Sequence, residues 1–325
     1  MSASVTADSL LLHHESPNKP PNLHVVIIGG VITGLTLAHC LDAAGVNYTL
    51  PEKHASVSRA FGGSIGLQAN GCRILEQLGL YEKLEPLMKD NGFIANTIMR
   101  SGFTLFFPAD IINWFVFIKL DRTYSSADAS RWSREEVHAR LEAPGAHTIV
   151  SPHAFRDSWS ITDADGVYCV PVHEGMVEVA TPGRVICIGD SAYKMSPYIA
   201  KAGKLCMESA AALANNLRRL SHDLDYNHTQ SKSGETKIGI SEEQIYKVLS
   251  QTIARYTERL RQMSNISYTM TRIISLDGWR ARSVYRYIMP PLVGLANYWI
   301  MRRLEAGVVL DYFPMPVRAR LAAGG

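Results

Sequence analysis

Residues 25–45 read VVIIGGVITGLTLAHCLDAAG. The apolar run HVVIIGG at 24–30 ends in two glycines, which is typical of a strand that is buried on both faces. The residues that follow repeat apolar side chains at helical spacing and end at Gly45, which predicts a helix. VNYTLPEK at 46–53 then predicts a second strand, so the stretch forms one βαβ unit of a parallel sheet.

The spacing of the glycines indicates what this turn binds. In a dinucleotide-binding turn one glycine makes the bend, a second lets the backbone approach a pyrophosphate, and a third lets helix and strand pack closely. Gly29 takes the first place and Gly34 the third. Val31 stands at the second place, where its side chain would crowd a phosphate, and Gly30 beside it leaves the backbone some freedom. Glu52 ends the second strand and is placed to accept hydrogen bonds from a ribose. The alternative is a turn that only packs a strand against a helix.

Composition and charge exclude several classes of function. The chain has 325 residues, 46% of them hydrophobic, and a net charge of +3, which suits one or two globular domains and does not indicate a nucleic-acid partner. Its five cysteines are scattered and form no C-x-x-C pair, so we expect reduced thiols rather than a disulfide framework or a metal site. Residues 1–22 are polar and rich in proline, which predicts a disordered leader of an intracellular protein.

The remaining segments are predicted from apolar spacing and composition. They are a helix over 70–88, aromatic β-structure over 94–120, a buried strand over 183–195, a helix over 208–220 and a polar linker over 221–240. A further helix is predicted to begin at Ser241, because Ser241 and Gln244 have the spacing of a capping box.

A dinucleotide-binding turn alone does not distinguish NAD from FAD. The stretch that does so is GRVICIGDSAYKMSPYIAKAGKLCMESAAALANNL at 183–217. It resembles the second signature of FAD-dependent monooxygenases of the aromatic-hydroxylase type, which has a strand, Gly-Asp, a proline turn and a glycine loop that opens a helix. The resemblance implies that Asp190 binds the ribityl chain of FAD, and that the loop to Gly203 brings a helix N-terminus to the flavin pyrimidine. FGGSIGLQANGCRILEQLGLYEKLE at 61–85 is similar to the family's loop and helix after the second strand, which makes Gly66 an FAD contact. A plain NAD dehydrogenase would leave 183–217 without a role.

Two further stretches narrow the resemblance. WFVFIKLDRTY at 114–124 and DYFPMPVRAR at 311–320 are similar to the fungal FAD-dependent monooxygenases of the paxilline type, which serve indole-diterpene and meroterpenoid pathways. The resemblance implies an α/β fold, with a Rossmann-like FAD-binding domain, a reduced substrate sheet and a C-terminal helical region. It implies epoxidation of an apolar, prenylated small molecule with O2, and NADPH as the reductant of FAD. The implied cofactor-binding residues are Gly29, Gly30, Gly34, Glu52, Gly66, Asp190 and Gly203, while the catalytic residues stay unknown and no metal is required.

The resemblance also divides the chain. The implied parts are a leader over 1–22, an FAD-binding domain over 23–100 and 183–220, a truncated substrate-side β region over 101–182, and a linker with a helical region over 221–325.

The chain departs from the family near residues 108–114. Members are longer by roughly a hundred residues, a size that still suits one or two domains, and the segments on either side of this junction are normally far apart. The part that is absent here carries an FAD-contacting arginine and the Asp-Gly motif. The sequence leaves open whether the gap belongs to the protein or comes from an error in exon prediction. It also leaves open whether the chain is an active enzyme or a shortened relative with a binding or accessory role. ITDADGVYC at 161–169 imitates the absent motif, but we expect an ordinary turn at Asp165–Gly166.

Two basic features leave alternatives open. Lys201 and Lys204 stand where the family has amide residues; we expect them to be solvated, and the alternative is that they favour an anionic reduced flavin.

YRYIMPPLVGLANYWIM at 285–301 is apolar and aromatic and lies between arginines. A spanning helix needs about 20 apolar residues, and Pro290–Pro291 interrupts this stretch. A helix packed within the protein and a peripheral contact with a membrane both fit it.

Overall fold

The structure is a computed structural model, and it divides the chain into two compact units. The residues it describes are 2–6, 9–15, 23–57, 67, 69–90, 97–100, 103–106, 113–116, 133–145, 148–150, 153–162, 167, 172–177, 183–196, 201–230, 240–292, 295 and 306–315. Unit 1 comprises Met1–Glu82, Glu174–Ser267 and Gly294–Gly325. Unit 2 comprises Lys83–His173 and Tyr268–Val293.

Unit 1 is built from a mixed sheet, two long helices and shorter elements. Its strands are β1 (Ser2–Thr6), β2 (Ser9–His14), β3 (His24–Val26), β4 (Asn47–Glu52), β10 (Gly175–Met176) and β11 (Tyr193–Lys194). Its helices are α1 (Ile32–Ala44), α2 (Ala69–Gln77), α6 (Ala202–Gln230) and the greater part of α7 (Glu242–Ile274), with a 3₁₀ turn at Gly189–Ser191. The capping box that opens α7 is confirmed, since Ser241 and Gln244 each donate a backbone N–H to the other's side chain.

The sheet contains the predicted βαβ unit. β3 runs parallel to β4 with Val25 opposite Tyr48, and the pairing continues past the strand as Gly29 N–H donates to the Pro51 carbonyl at 3.0 Å. The strand order is β1-β2-β4-β3, because β2 pairs antiparallel with β4. The prediction of a disordered leader is therefore wrong for β1 and β2. The sequences of β1 and β2 do not alternate clearly between polar and apolar residues, so they give little sign of a strand. Leu12 of β2 nevertheless pairs in register with the buried Leu50 of β4, and β2 thereby covers one edge of β4.

Two segments that the sequence predicts as buried strands have a different structure: one is partly exposed and the other is not a strand. β3 is exposed on one face, with Val26 62% exposed, and Ile28 just beyond the strand is 88% exposed. The stretch 185–188 forms no strand, and Val185 in it is also exposed. A strand is buried on both faces only when other layers or strands cover it, so apolar composition alone did not decide its burial.

Helices α1 and α6 pack along each other and form the centre of unit 1. Both present small buried residues, Ala38 on α1 and Ala210 and Ala214 on α6, which allow the two backbones to approach. α1 ends where Gly45 adopts a left-handed conformation with φ +66°. α6 continues to Gln230, so the predicted linker over 221–240 is wrong for residues 221–230, whereas 231–239 lie outside the described residues.

The predicted helix over 70–88 is divided into α2 and α3 (Tyr81–Asp90). The break lies at Gly79, which has φ +65° and ends α2 as a left-handed cap. Glycine adopts this conformation without the steric penalty that a Cβ would bring, and apolar periodicity does not reveal it.

The C-terminal residues 306–315 join α1, α2 and α6. The Gln77 amide of α2 donates to the Leu310 carbonyl at 2.9 Å and accepts from the Leu310 N–H at 2.9 Å. Asn215 of α6 donates to the Val309 carbonyl, and the Tyr312 hydroxyl donates to the Cys40 carbonyl of α1 at 2.7 Å. This segment therefore contributes directly to the packing of the helices of unit 1.

Unit 2 contains short antiparallel sheets and helices. Its strands are β5 (Thr97–Arg100), β6 (Phe103–Phe106), β7 (Asn113–Val116), β8 (Thr148–Val150) and β9 (His153–Ala154), and β5, β6 and β7 form one sheet in that order. Its helices are α4 (Arg134–Gly145), α5 (Phe155–Trp159) and α8 (Gly278–Ser283), which continues as a π-helical turn at Val284–Ile288. The predicted aromatic β-structure over 94–120 thus contains three strands. The junction at 108–112 and the Asp165–Gly166 turn lie outside the described residues.

Candidate functional site

The glycine turn between β3 and α1 is shaped by close approach of its backbone. Gly29 has φ +104°, a conformation that residues with a side chain rarely adopt. A Cβ atom at Gly34 would lie 1.9 Å from the Gly29 carbonyl oxygen. The first glycine therefore makes the bend and the third permits helix–strand contact, which are the two roles expected from their spacing.

The first turn of α1 leaves backbone donors available. The first intrahelical hydrogen bond runs from Leu35 N–H to the Val31 carbonyl at 2.9 Å, so the N–H groups of residues 32–34 have no acceptor within the helix. Val31, at the N-cap, has no polar side-chain atom to cap them. Its side chain is 68% exposed and points away from the core. This end of α1 carries the positive end of the helix dipole and suits an anion such as a pyrophosphate.

Glu52 is tied to the glycine turn. Its side chain is only 8% exposed, and Oε2 accepts the Gly30 N–H at 2.7 Å. Oε1 accepts the His54 N–H at 3.1 Å and lies 2.7 Å from the His54 ring Nδ1. The Gly30 hydrogen bond, followed by the His54 contacts, lowers the pKa of Glu52 to about 2. A carboxylate has about four lone-pair sites, so three contacts leave room for a further donor.

The Gly-Asp signature lies against the first turn of α1. Gly189 has φ +62°, and a Cβ atom placed on it would lie 2.1 Å from Thr33 Oγ1. Asp190 follows in the 3₁₀ turn with its side chain exposed. The structure thus brings the Gly-Asp motif to the same end of α1 as the glycine turn, although the two motifs are far apart in sequence.

A buried thiol supports the Asp190 carboxylate. Cys206 Sγ of α6 donates to Asp190 Oδ1 at 3.5 Å and accepts from the Tyr193 hydroxyl at 3.5 Å. Burial raises the pKa of the Cys206 thiol, which keeps its proton available for donation. The roles of Thr33 and Cys206 could not be predicted from the sequence, because they arise from contacts between distant segments. His54 was also missed, although it contacts Glu52 only two positions away.

The two lysines at the beginning of α6 are buried, whereas the sequence predicts that they are exposed to solvent. Gly203 is the second residue of the helix, as the predicted loop-to-helix transition requires. Lys201 is 2% exposed and Lys204 has no exposed surface, so the prediction that both are solvated is wrong. Both side chains lie beneath neighbouring elements rather than on the surface. Gly66, also predicted to contact FAD, lies outside the described residues, as do residues 197–200.

Comparison with known proteins defines the type of domain. Residues 22–148 match the model of the FAD binding domain family. Fungal relatives include the FAD-dependent monooxygenase cdmI of Talaromyces verruculosus, 24% identical over 91% of this chain and 88% of the relative. Another is the FAD-dependent monooxygenase aurC of Calcarisporium arbuscula, 26% identical over 92% of this chain and 87% of the relative. Over most of its length this chain is therefore similar to fungal FAD-dependent monooxygenases.

A solved structure shows the same fold. HpxO of Klebsiella pneumoniae, in complex with FAD and uric acid, superposes with a TM-score of 0.60 over 88% of this chain and 97% of HpxO, at 12% identity. The prediction of a mixed α/β fold around an FAD-binding domain is therefore confirmed. So is the prediction that the chain is of the FAD-dependent monooxygenase type, an oxidoreductase.

The contact between Gly189 and Thr33 predicts a specific loss of stability. Gly183→Ala and Gly189→Ala introduce a Cβ at nearly the same positive φ, and each should cost about 1–2 kcal/mol for that conformation. Gly183 has open space, whereas Gly189→Ala must also displace Thr33, which should add about 1–3 kcal/mol. Chemical denaturation of both variants measures the difference.

Thr33→Ala provides the matched test, since it removes the two Thr33 atoms closest to the new methyl group. The double variant Thr33→Ala/Gly189→Ala should regain part of the stability that Gly189→Ala loses. Equal stability losses for Gly183→Ala and Gly189→Ala would contradict the close approach.

The low pKa of Glu52 predicts a pH dependence of stability. Its ordinary pKa in an unfolded chain is about 4.3, and the pKa in the folded protein is lower, so the ionised carboxylate stabilises the fold above the unfolded value. That contribution should disappear as the pH falls from about 4.3 towards 2. The free energy of unfolding, measured by urea titration at pH 6 and at pH 3, should fall further for the wild type than for Glu52→Gln. Parallel losses in the two proteins would show that Glu52 titrates normally.

Proposed function

We propose that the two motifs at the N-terminal end of α1 hold one FAD molecule, and that the chain uses it as a monooxygenase. The observation that carries the proposal is the packing of Gly189 on Thr33, because it joins the Gly-Asp signature to the glycine turn. The match to the FAD binding domain family over residues 22–148 supports the choice of nucleotide. Both motifs belong to unit 1.

The described residues fit the chemical groups of FAD. The N–H groups of residues 32–34, which have no acceptor within the helix, suit the pyrophosphate. The remaining lone pair of Glu52 suits a ribose hydroxyl. The exposed carboxylate of Asp190, held by Cys206, suits a ribityl hydroxyl.

In the mechanism, FAD supplies the chemistry by which O2 is activated and one oxygen atom is inserted into a substrate. This chain's residues bind and orient the cofactor. The buried Cys206 proton fixes the direction of the Asp190 carboxylate. Glu52 fixes the backbone of the glycine turn through the Gly30 N–H, so that the donors at the α1 end are already in place when the cofactor binds.

For the substrate we propose an apolar, prenylated terpenoid intermediate of fungal secondary metabolism, oxidised at a double bond as an epoxide. The resemblance of 114–124 and 311–320 to the paxilline type supports this, together with fungal relatives that are FAD-dependent monooxygenases. We further propose NADPH as the reductant and a Rossmann-like arrangement for the FAD-binding domain. The parallel β3–α1–β4 unit supports that arrangement.

We also propose that a family segment is absent near residues 108–114. The alignment with the relative from Talaromyces verruculosus extends over 431 positions, whereas this chain has 325 residues, so gaps must fall on this chain's side. Sequencing the transcript across this junction distinguishes a short protein from an omitted exon. If the transcript contains an additional exon at this junction, it encodes a full-length enzyme.

A shortened relative with a binding or accessory role is the second candidate. The observation that favours it is the position of β3, which has β4 as its one neighbouring strand within the described residues and whose Val26 is 62% exposed. An exposed apolar edge strand can pair with another chain. Protein that folds without FAD would support this candidate and contradict the first.

For unit 2 we propose a peripheral contact with a membrane. Trp279 and Tyr287 are exposed, and Arg280 and Arg286 lie over their rings at 5.4 Å and 5.7 Å. Exposed aromatic rings beside arginines suit an anionic membrane interface. Among the described residues, no helix has the length and apolar character needed to cross a bilayer.

The FAD proposal predicts the effect of removing Asp190. Purified wild-type protein should be yellow, and should consume O2 and NADPH with a prenylated substrate. Asp190→Ala should lose the bound flavin while it stays folded, because the exposed carboxylate takes no part in the core. Asp223→Ala changes an exposed aspartate on α6 and should retain the flavin. Absorbance at the flavin bands after gel filtration measures retention, and a yellow Asp190→Ala protein would refute the placement.

The membrane proposal predicts flotation. The full chain should float with vesicles that contain phosphatidylserine, and Trp279→Ala/Tyr287→Ala should float markedly less. Tyr246→Ala alters an exposed tyrosine on α7 and should float as the wild type does. Wild-type protein that stays at the bottom of the gradient would eliminate the membrane contact.

A further inference from the structure

Residues 307–312, called the tail here, are bound through their backbone by side chains of α2 and α6. On the α2 side, the Gln77 amide donates to the Leu310 carbonyl at 2.9 Å and accepts the Leu310 N–H at 2.9 Å. In an antiparallel sheet, two residues that face each other exchange the same pair of hydrogen bonds. The Gln77 amide therefore takes the place of a neighbouring strand on one edge of the tail.

A second amide does the same on the other edge. Asn215 of α6 donates to the Val309 carbonyl at 2.8 Å and accepts the Asp311 N–H at 3.1 Å. In a strand, the N–H and C=O of one residue point to one edge, whereas the preceding C=O and the following N–H point to the opposite edge. The two amides thus bind the tail from both edges, as two flanking strands would.

The side chains around the tail are buried with it. Asn215 is 2% exposed and Glu208, which accepts the Val308 N–H at 3.4 Å, has no exposed surface. Leu310 is also fully buried. A buried amide that loses its partners costs free energy, so the groove between α2 and α6 is satisfied only when a polypeptide backbone lies in it.

Contacts of the tail side chains add specificity to this backbone recognition. The Tyr312 hydroxyl donates to a backbone carbonyl of α1 at 2.7 Å, and the Arg218 guanidinium lies over the Tyr312 ring at 4.8 Å. Asp311 forms an ion pair with Arg219. Together with the buried Leu310, these contacts select an aliphatic residue that is followed by an acid and a tyrosine.

We propose that the groove between α2 and α6 is a binding site for a peptide with this pattern, and that the tail is its tethered ligand. The partner that fits the groove is the same segment supplied by a separate polypeptide. Covalent attachment gives the tail a high effective concentration at the groove, so a segment from outside replaces it only after the attachment is cut. All of these contacts lie on residues other than those assigned to FAD, so the inference does not depend on the proposed function.

The test uses the full chain with a recognition site for a specific protease inserted after Arg303, so that the folded protein can be cut ahead of the tail. After cleavage, the C-terminal fragment should elute with the rest of the chain in gel filtration, because its contacts are not covalent. A fluorescent peptide of residues 304–325 in excess should replace it, and the anisotropy should saturate at one peptide per chain. The same peptide with Leu310→Asp should bind at least about tenfold more weakly, because a carboxylate would enter a buried position.

The peptide with Met315→Ala is the matched control, since Met315 is exposed and its loss should leave the affinity unchanged. In the chain, Gln77→Met keeps the length of the side chain and removes both hydrogen bonds to Leu310, which should weaken peptide binding about tenfold. Gln262→Met alters an exposed glutamine of α7 and should not weaken it.

The inference is overturned if the peptide does not bind the cut chain, whether the chain's own fragment stays or leaves. Equal affinity of the unaltered peptide and the Leu310→Asp peptide would overturn it as well, since the groove would then not recognise the tail. If the Gln77→Met chain does not fold, the comparison of the two peptides on the unaltered chain still decides.

Discussion

The structure of unit 1 depends on the close approach of bare backbone to the first turn of α1. The Gly29 carbonyl lies where a side chain on Gly34 would have to be, and Gly189 lies where its own side chain would meet Thr33. Both contacts require glycine, because any Cβ atom would overlap a neighbouring atom. As a result, two segments from distant parts of the chain meet at one helix end, and the donors of that end lie between them. The proposed cofactor site is a consequence of this packing.

A buried network fixes the helices behind that site. Glu208 is fully buried on α6 and pairs with Arg259 of α7, while the amide of Asn70 on α2 donates to the same carboxylate. A buried carboxylate is tolerated only with such donors, because desolvation disfavours its charge. The network therefore sets the distance of α2 and α7 from α6.

Much of the site could be predicted from the sequence, because its glycines and acids lie in short local patterns. The bend at Gly29, the close packing at Gly34 and the end of β4 at Glu52 all follow from spacing and strand–helix periodicity. The contacts of Thr33 and Cys206 could not be predicted, since they join segments that are far apart in sequence. The burial of Lys204 also could not be predicted, because a lysine is almost always exposed and only the surrounding helices decide otherwise. The exposure of β3 depends on which elements cover its faces, and apolar composition carries no information about those neighbours.

Hydrogen–deuterium exchange of the purified protein with and without FAD tests the central claim most directly. If one FAD molecule lies between the two motifs, the amides of residues 30–35 and those of 189–192 should both exchange more slowly when FAD is added. Their protection should saturate at the same FAD concentration, since one ligand causes it. Protection of the glycine turn alone, with 189–192 unchanged, would contradict the account.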